Sequence, residues 1–113
     1  TMSFVLHLID APEVRTIKDA DIFISNEQDK DSITSPKFSA FTVEIRSVYP
    51  DSRDSNKNVW DEGLDESTDY GLVKELVLNV GLTDEALVMQ LAATAASCGL
   101  LLYDSEGEVI YGV

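Results

Sequence analysis

The sequence predicts a single α+β domain, a two-layer sandwich in which helices cover one face of a mainly antiparallel sheet of about four strands. The chain has 113 residues, a length typical of one domain, and 44% of them are hydrophobic. Apolar residues alternate in some segments, as they do in strands, and recur every three or four residues in others, as they do in helices. Turn residues and helix caps separate these segments and give the order β-α-α-β-α-β-β.

The first half of the chain predicts one strand and two helices. Residues 4–9 alternate with apolar groups on both faces, which indicates a central strand. The run 16–19 resembles a capping box and predicts a helix over residues 16–28. Ser35 and Pro36 begin the second helix, because serine accepts from free N–H groups and proline fits the first turn. The apolar stripe of this second helix is Phe38, Phe41, Ile45 and Val48.

A long acidic loop is predicted for residues 50–71, which begin at a helix-ending proline and show no sustained periodicity. Loops of this length in small domains are usually functional or mobile. Seven acids surround its single tryptophan. Trp60 either fixes the loop to the core or serves as an exposed anchor for a partner. The predicted partner-binding residues are Asp51, Asp54, Trp60, Asp61, Glu62, Asp65, Glu66 and Asp69.

The last part of the chain predicts a strand, a helix and a terminal hairpin. Residues 73–80 alternate as a strand does. Thr83 is the predicted N-cap of the third helix, and Gly99 suits the positive φ of a Schellman motif at its end. Residues 100–111 then form a β-hairpin in which Gly107 supplies a positive φ.

The net charge of −13 bears on the choice of partner. Residues 50–113 carry thirteen acids against Arg53, Lys57 and Lys74, which gives −10 of that total. Nucleic acids and anionic membranes bind clustered lysine and arginine, so we expect neither as a partner. A basic protein would be attracted by this field. The alternative is that the charge only keeps the protein dissolved and monomeric.

The sequence contains no recognisable catalytic machinery. His7 is the only histidine and lies on a predicted strand among apolar neighbours, so a catalytic triad or a two-histidine metal site would need a second chain. Cys98 is the only cysteine and lies at a predicted helix C-terminus, where the helix dipole disfavours a thiolate. The dispersed glycines form no phosphate-binding loop. We therefore expect a protein without cofactors or enzymatic activity.

A divalent-metal protein or enzyme that uses the loop carboxylates is the alternative. The run from Asp54 to Asp65 has suitable residues at the first, third and fifth positions of a calcium loop. It has Val59 where the loop needs glycine, and Asp65 where the bidentate glutamate belongs. A solvated acidic loop accounts better for this run, so no metal ligand is predicted.

The sequence also bears on location and assembly. It has no apolar run long enough for a membrane span, and its N-terminus lacks the basic flank of a signal peptide, so we expect a cytoplasmic protein. Met2 behind Thr1 suggests that Thr1 is a cloning remnant and that the domain covers residues 2–113. The apolar stretch 108–111 is a candidate sheet edge, through which a homodimer could pair.

Three short motifs occur in a fixed order along the chain. They are Tyr49-Pro50-Asp51 after a helix, an acidic stretch with Trp60 and Gly63, and the run Gly-Leu-Leu-Leu-Tyr-Asp at 99–104 before a closing strand. Together they resemble a loose group of small bacterial proteins of uncharacterised function, over essentially the whole chain. The chain departs from the group at residues 105–107, where the group often has proline or glutamine.

The resemblance implies the same order of elements and no particular activity. Some small acidic bacterial proteins serve as antitoxins or immunity partners, an analogy of class and not of residues. The analogy and the charge together suggest a non-catalytic module that neutralises a basic partner.

Overall fold

A computed structural model describes residues 3–30, 33–50, 58–62 and 64–113. This part of the chain confirms the α+β class, with three helices and a six-stranded antiparallel sheet. None of its helices has the length and apolar character that crossing a membrane requires. The strands are β1 (Ser3–Ile9), β2 (Trp60–Glu62), β3 (Asp69–Tyr70), β4 (Val73–Asn79), β5 (Leu101–Asp104) and β6 (Val109–Tyr111). The helices are α1 (Ile17–Gln28), α2 (Lys37–Arg46) and α3 (Glu85–Ser97).

The sheet has the strand order β2-β4-β1-β5-β6, and β3 pairs with the same side of β4 as β2 does. β1 is central, as predicted, because β4 and β5 pair with it on either side. The predicted count of four strands is too low. The two additional strands, β2 and β3, lie within the stretch predicted as loop and have three and two residues. Strands this short carry no readable alternation, and their place is set by the hydrogen-bonding edge of β4.

The helices lie on both faces of the sheet, so the prediction that they cover one face is wrong. Leu6 and Leu8 of β1 pack in a core with α2 and α3. Ile9 points to the opposite face, where it packs with Val14 and with Ala20 of α1. Because β1 is apolar on both faces, each face requires a cover, and the result is three layers.

The start of α1 follows the predicted capping chemistry, whereas α2 begins at Lys37, one residue later than predicted, with Pro36 as its N-cap. Thr16 Oγ1 accepts a hydrogen bond from the Asp19 N–H at 3.1 Å, and Asp19 Oδ2 accepts from the Thr16 N–H at 3.3 Å. Ser35 Oγ accepts from the Lys37 N–H at 3.2 Å. The predicted apolar stripe of α2 is wrong at Val48, which lies beyond the last residue of the helix and is half-exposed.

The third helix begins one residue later than predicted. Thr83 is not its N-cap, because its hydroxyl donates to the Asn79 carbonyl at 2.9 Å. Asp84 caps α3 instead, and its Oδ1 accepts from the Leu87 N–H at 2.8 Å. Leu87 is buried, so this cap also fixes where the apolar stripe of the helix begins.

The predicted Schellman ending of α3 is confirmed. Gly99 has φ +73°, and its N–H donates to the Ala96 carbonyl at 3.1 Å. The Leu100 N–H reaches back to the Ala95 carbonyl at 2.8 Å, and the Leu100 side chain is buried.

The terminal hairpin forms, but its positive φ falls on Glu108, at +53°, and not on Gly107 as predicted. Gly107 instead makes a close contact with Asp104. A Cβ there would lie 2.7 Å from Asp104 Oδ2, while Asp104 Oδ1 accepts from the Gly107 N–H at 3.0 Å. The glycine therefore permits a close approach of its backbone to a carboxylate.

Candidate functional site

A buried lysine organises the acidic segment that follows β2. The Lys74 side chain is 1% exposed and points to the core face of β4, where an ammonium group needs partners. Its Nζ donates to Asp69 Oδ1 at 2.6 Å, to the Asp65 carbonyl at 2.6 Å and to Thr68 Oγ1 at 3.3 Å. These three acceptors match the three donors of an ammonium group. Lys74 therefore fixes residues 65–69 against the edge of the sheet.

Further contacts make this segment regular although it was predicted as loop. Asp65 Oδ1 accepts from the Ser67 N–H at 2.9 Å and begins a short 3-10 turn, Glu66–Thr68. Arg46, at the end of α2, donates from Nη2 to the Leu64 carbonyl at 2.7 Å. The segment is thus attached both to the sheet and to α2.

A cleft of about 370 Å³ opens between α2 and this segment. A volume of this order is typical of binding clefts. Three of the predicted partner-binding residues, Asp65, Glu66 and Asp69, come together along it. We call this space the acidic cleft. Its lining also includes Ser39, Thr42, Val43 and Arg46 of α2 and, in the wall, Lys74.

The carboxylates of the acidic cleft lie in different environments. Burial raises the pKa of Asp69 above its usual value, although the hydrogen bond and charge of Lys74 oppose the shift. The like charges of Glu66 and Asp65 add to the increase. Glu66 is exposed at the rim. The site therefore combines one half-buried carboxylate held by Lys74 with an exposed one.

Trp60 lies in the core. Its side chain is 2% exposed, and its Nε1 donates to the Tyr49 carbonyl at 2.7 Å. This placement agrees with the role of fixing the loop to the core and gives no support to an exposed anchor. Asp61 beside it is half-buried. Asp51, Asp54 and the Glu62 side chain lie outside the described residues, as does much of the run compared with a calcium loop.

A second polar group, missed in the sequence, lies on the face of the sheet that carries α1. His7 Nε2 is 3.6 Å from Glu75 Oε2, which also accepts from the Tyr70 hydroxyl at 3.4 Å. The ring centroid of Tyr103 is 6.2 Å from that of His7. The Tyr103 hydroxyl donates to Asp21 Oδ1 at 2.5 Å. Only the antiparallel register that sets His7 opposite both Glu75 and Tyr103 could have revealed the cluster.

The protonation states of this cluster follow from its burial. Burial lowers the pKa of His7, although the charge of Glu75 and its hydrogen bond oppose the shift. Burial raises the pKa of Tyr70 to about 12, with the charge of Glu75 adding to it. Burial and the hydrogen bond to Asp21 likewise raise the pKa of Tyr103 to about 12. At neutral pH the imidazole is neutral and both phenols keep their protons, so the cluster links α1 to the sheet by hydrogen bonds and not by ionised phenolates.

The α1 helix is also held at its other end by a buried acid. Glu27 Oε1 accepts from the Leu72 N–H at 3.0 Å, and Oε2 lies 2.8 Å from Lys30 Nζ. Burial alone would raise the pKa of Glu27, but the hydrogen bonds from Lys30 and Leu72 and the charge of Lys30 hold it below its usual value. Glu27 therefore stays ionised and anchors the helix to the turn before β4.

Cys98 is half-buried beside Glu44, whose Oε2 accepts from Sγ at 3.4 Å. Burial raises the pKa of this thiol, and the hydrogen bond and charge of Glu44 raise it further. A thiol in this environment is a poor nucleophile at neutral pH.

Within the described ranges, no three His, Cys, Asp or Glu side chains are arranged to hold a metal ion. Comparison with protein-family models, curated proteins and solved structures found no match. The function must therefore be argued from the geometry and charge of the chain itself.

Proposed function

We propose that this chain is a non-catalytic module that binds and neutralises a basic protein, in the manner of an antitoxin or immunity protein of the bacterial cytoplasm. The observation that carries the proposal is the acidic cleft. Glu66 and Asp69 lie on one ordered segment that borders a cleft with α2. A lysine or arginine side chain of the partner would enter this cleft and meet these carboxylates.

Preorganisation supports this role. Lys74 and Arg46 hold the segment before any partner arrives, so binding does not have to order a loop. Hydrogen bonds between oppositely charged groups contribute about 1.5–3 kcal/mol each, which is enough for two or three of them to decide a partner.

The charge of the whole chain supports the same partner. With 21 acids against 8 basic residues, the protein presents a negative field to approaching molecules. Such a field accelerates encounter with a basic protein and repels acidic ones. Affinity would then depend on ionic strength, because salt screens contacts between exposed charges.

Charge reversal at the rim of the cleft tests the proposal. The immobilised protein is used to capture partners from a native lysate at about 50 mM salt, and the captured basic protein is then titrated up to about 500 mM. We expect Glu66→Lys to weaken its binding at least about tenfold. Glu106→Lys is the matched control, since it makes the same charge change at an exposed position in the β5–β6 turn.

Two results would contradict the proposal. One is an equal loss of partner affinity in Glu66→Lys and Glu106→Lys, which would show that only the net charge of the protein matters. The other is a complex that salt does not weaken. A rise in melting temperature with millimolar calcium or magnesium would instead support the metal-dependent alternative, because a ligand of the folded state stabilises it.

A further inference from the structure

A second cleft, of about 390 Å³, lies where β1 ends and shares no lining residue with the acidic cleft. Ala11, Pro12, Val14 and Arg15 after β1 border it, together with the start of α2, the end of α3 and the ends of β5 and β6. Its volume is in the range of small-molecule sites. Its accessible apolar lining includes Pro12, Ala96, Leu101 and Val113, and the buried side chains of Ile9 and Val14 lie beneath it.

The charge of this cleft is opposite to that of the chain. The protein has 21 acids and 8 basic residues. Yet the described residues that line this cleft include two basic ones, Arg15 and Lys37, and no aspartate or glutamate. We call it the basic cleft. A local excess of positive charge over an apolar surface favours a ligand that is apolar and anionic.

The two basic residues differ in what they already bind. Lys37 Nζ is 2.9 Å from Asp10 Oδ1 and 3.4 Å from the Gly99 carbonyl. Burial alone would raise the pKa of Asp10, but the hydrogen bonds from Ser35 and Lys37 and the charge of Lys37 hold it below its usual value. Asp10 thus stays ionised and compensates the charge of Lys37.

Arg15 is the cation that remains for a ligand. It is exposed on the edge of the cleft, and its guanidinium makes no ion pair with the part of the chain that the structure describes. A planar guanidinium offers two parallel N–H donors that match the two oxygens of a carboxylate.

Two glycines keep the cleft open at its opposite wall. Gly112 has φ +105° and Gly99 has φ +73°, conformations that side chains rarely tolerate. A Cβ at Gly112 would lie 3.1 Å from Leu101 Cδ2. Backbone without side chains at these positions leaves room for a ligand beside the apolar lining.

We propose that the basic cleft binds a small monocarboxylate with an apolar body. The carboxylate pairs with the Arg15 guanidinium, and the apolar body covers Pro12, Ala96 and Leu101. A cationic ligand would be repelled by Arg15, whose charge has no compensating acid among the described residues, and a neutral apolar ligand would leave the Arg15 donors unused.

Isothermal titration with three probes that share one alkyl chain tests this assignment. We expect sodium octanoate to bind, and octanol and octylamine to bind at least about tenfold more weakly. Arg15→Gln should weaken octanoate binding by about tenfold, because it removes a charge-assisted contact. Lys18→Gln is the matched control, since Lys18 is an exposed basic residue near Arg15 that does not line the cleft.

A steric variant tests the apolar part of the site. Ala96→Leu places a larger side chain in the cleft from an exposed position on α3, where leucine is nearly as good a helix former as alanine. We expect octanoate binding to be lost while the melting temperature is kept.

Any of three results would overturn the proposal. These are equal affinities for octanol and octanoate, equal effects of Arg15→Gln and Lys18→Gln, and no octanoate binding up to about 10 mM. Because Glu66 is unchanged in these variants, the outcome does not depend on whether the acidic cleft binds a basic protein.

Discussion

His7 illustrates how a single residue can have a role that its type does not reveal. The sequence shows only a lone histidine among apolar neighbours on a strand, a position that favours a structural role. The structure adds that its ring lies between Glu75 and Tyr103 and that its Nδ1 is buried without a hydrogen-bond partner among the described residues. Burial of an imidazole favours its neutral form.

The stability of the protein should therefore depend on pH through His7. Its pKa in the folded state lies below the value of 6.5 for an unperturbed histidine, so the unfolded chain binds the proton more readily. As the pH falls below about 6.5, the free energy of unfolding should decrease, and this loss should stop below the folded pKa. Denaturant unfolding at several pH values measures this loss.

A matched variant isolates the contribution of His7. In His7→Phe, the decrease near pH 6 should disappear, while losses at lower pH, where Asp10 and Glu27 are protonated, should remain. The proton NMR titration of the only imidazole gives its folded pKa directly. A value above 6.5 would contradict the prediction.

For helices and strands, the sequence predicts how an element begins and ends but not which elements pack or pair with each other. The capping box at Thr16 and the Schellman ending at Gly99 involve neighbours within a few residues, so the sequence specified them. The sequence predicts Asp65, Glu66 and Asp69 as partner-binding residues from their charge, but it does not predict the cleft that they border. The cleft depends on Lys74, whose burial follows from the pairing of β3 with β4.

Removing the Lys74 ammonium group should detach the 65–69 segment. Lys74→Met leaves the Asp69 carboxylate in a half-buried position without its cation, which should lower the free energy of unfolding by about 3–5 kcal/mol. Lys18→Met, at an exposed position, should change it by less than about 0.5 kcal/mol. Urea unfolding measures both.

The double variant Lys74→Met/Asp69→Leu separates the buried charge from the lost packing. It should recover part of the stability, because the carboxylate without a cation is gone. A double variant no more stable than Lys74→Met would mean that the ion pair is not what holds the segment.

Repulsion among the many negative charges of the protein destabilises its folded state. The described basic side chains of Lys30, Lys37 and Lys74 each form an internal ion pair, so they do little to neutralise the remaining acids.

The strand β6 ends one side of the sheet in the described part of the chain. A homodimer through this edge stays a prediction, to be decided by the mass in solution.

Added salt should therefore stabilise the protein. Screening reduces repulsion among the acids, so we expect the melting temperature to rise by a few degrees between about 20 mM and 500 mM sodium chloride. Potassium chloride serves as the control, since a screening effect does not distinguish the two cations. A falling melting temperature would show that the internal ion pairs outweigh the repulsion.

The burial of Trp60 gives the protein an internal optical reporter. It is the only tryptophan, and its Nε1 joins β2 to the carbonyl of Tyr49 after α2. Its emission wavelength therefore reports whether this outer strand remains docked. If β2 separates before β4, β1 and β5, the emission should shift to the red while the far-ultraviolet circular dichroism is still native. The acidic edge can thus be followed apart from the rest of the sheet without an added label.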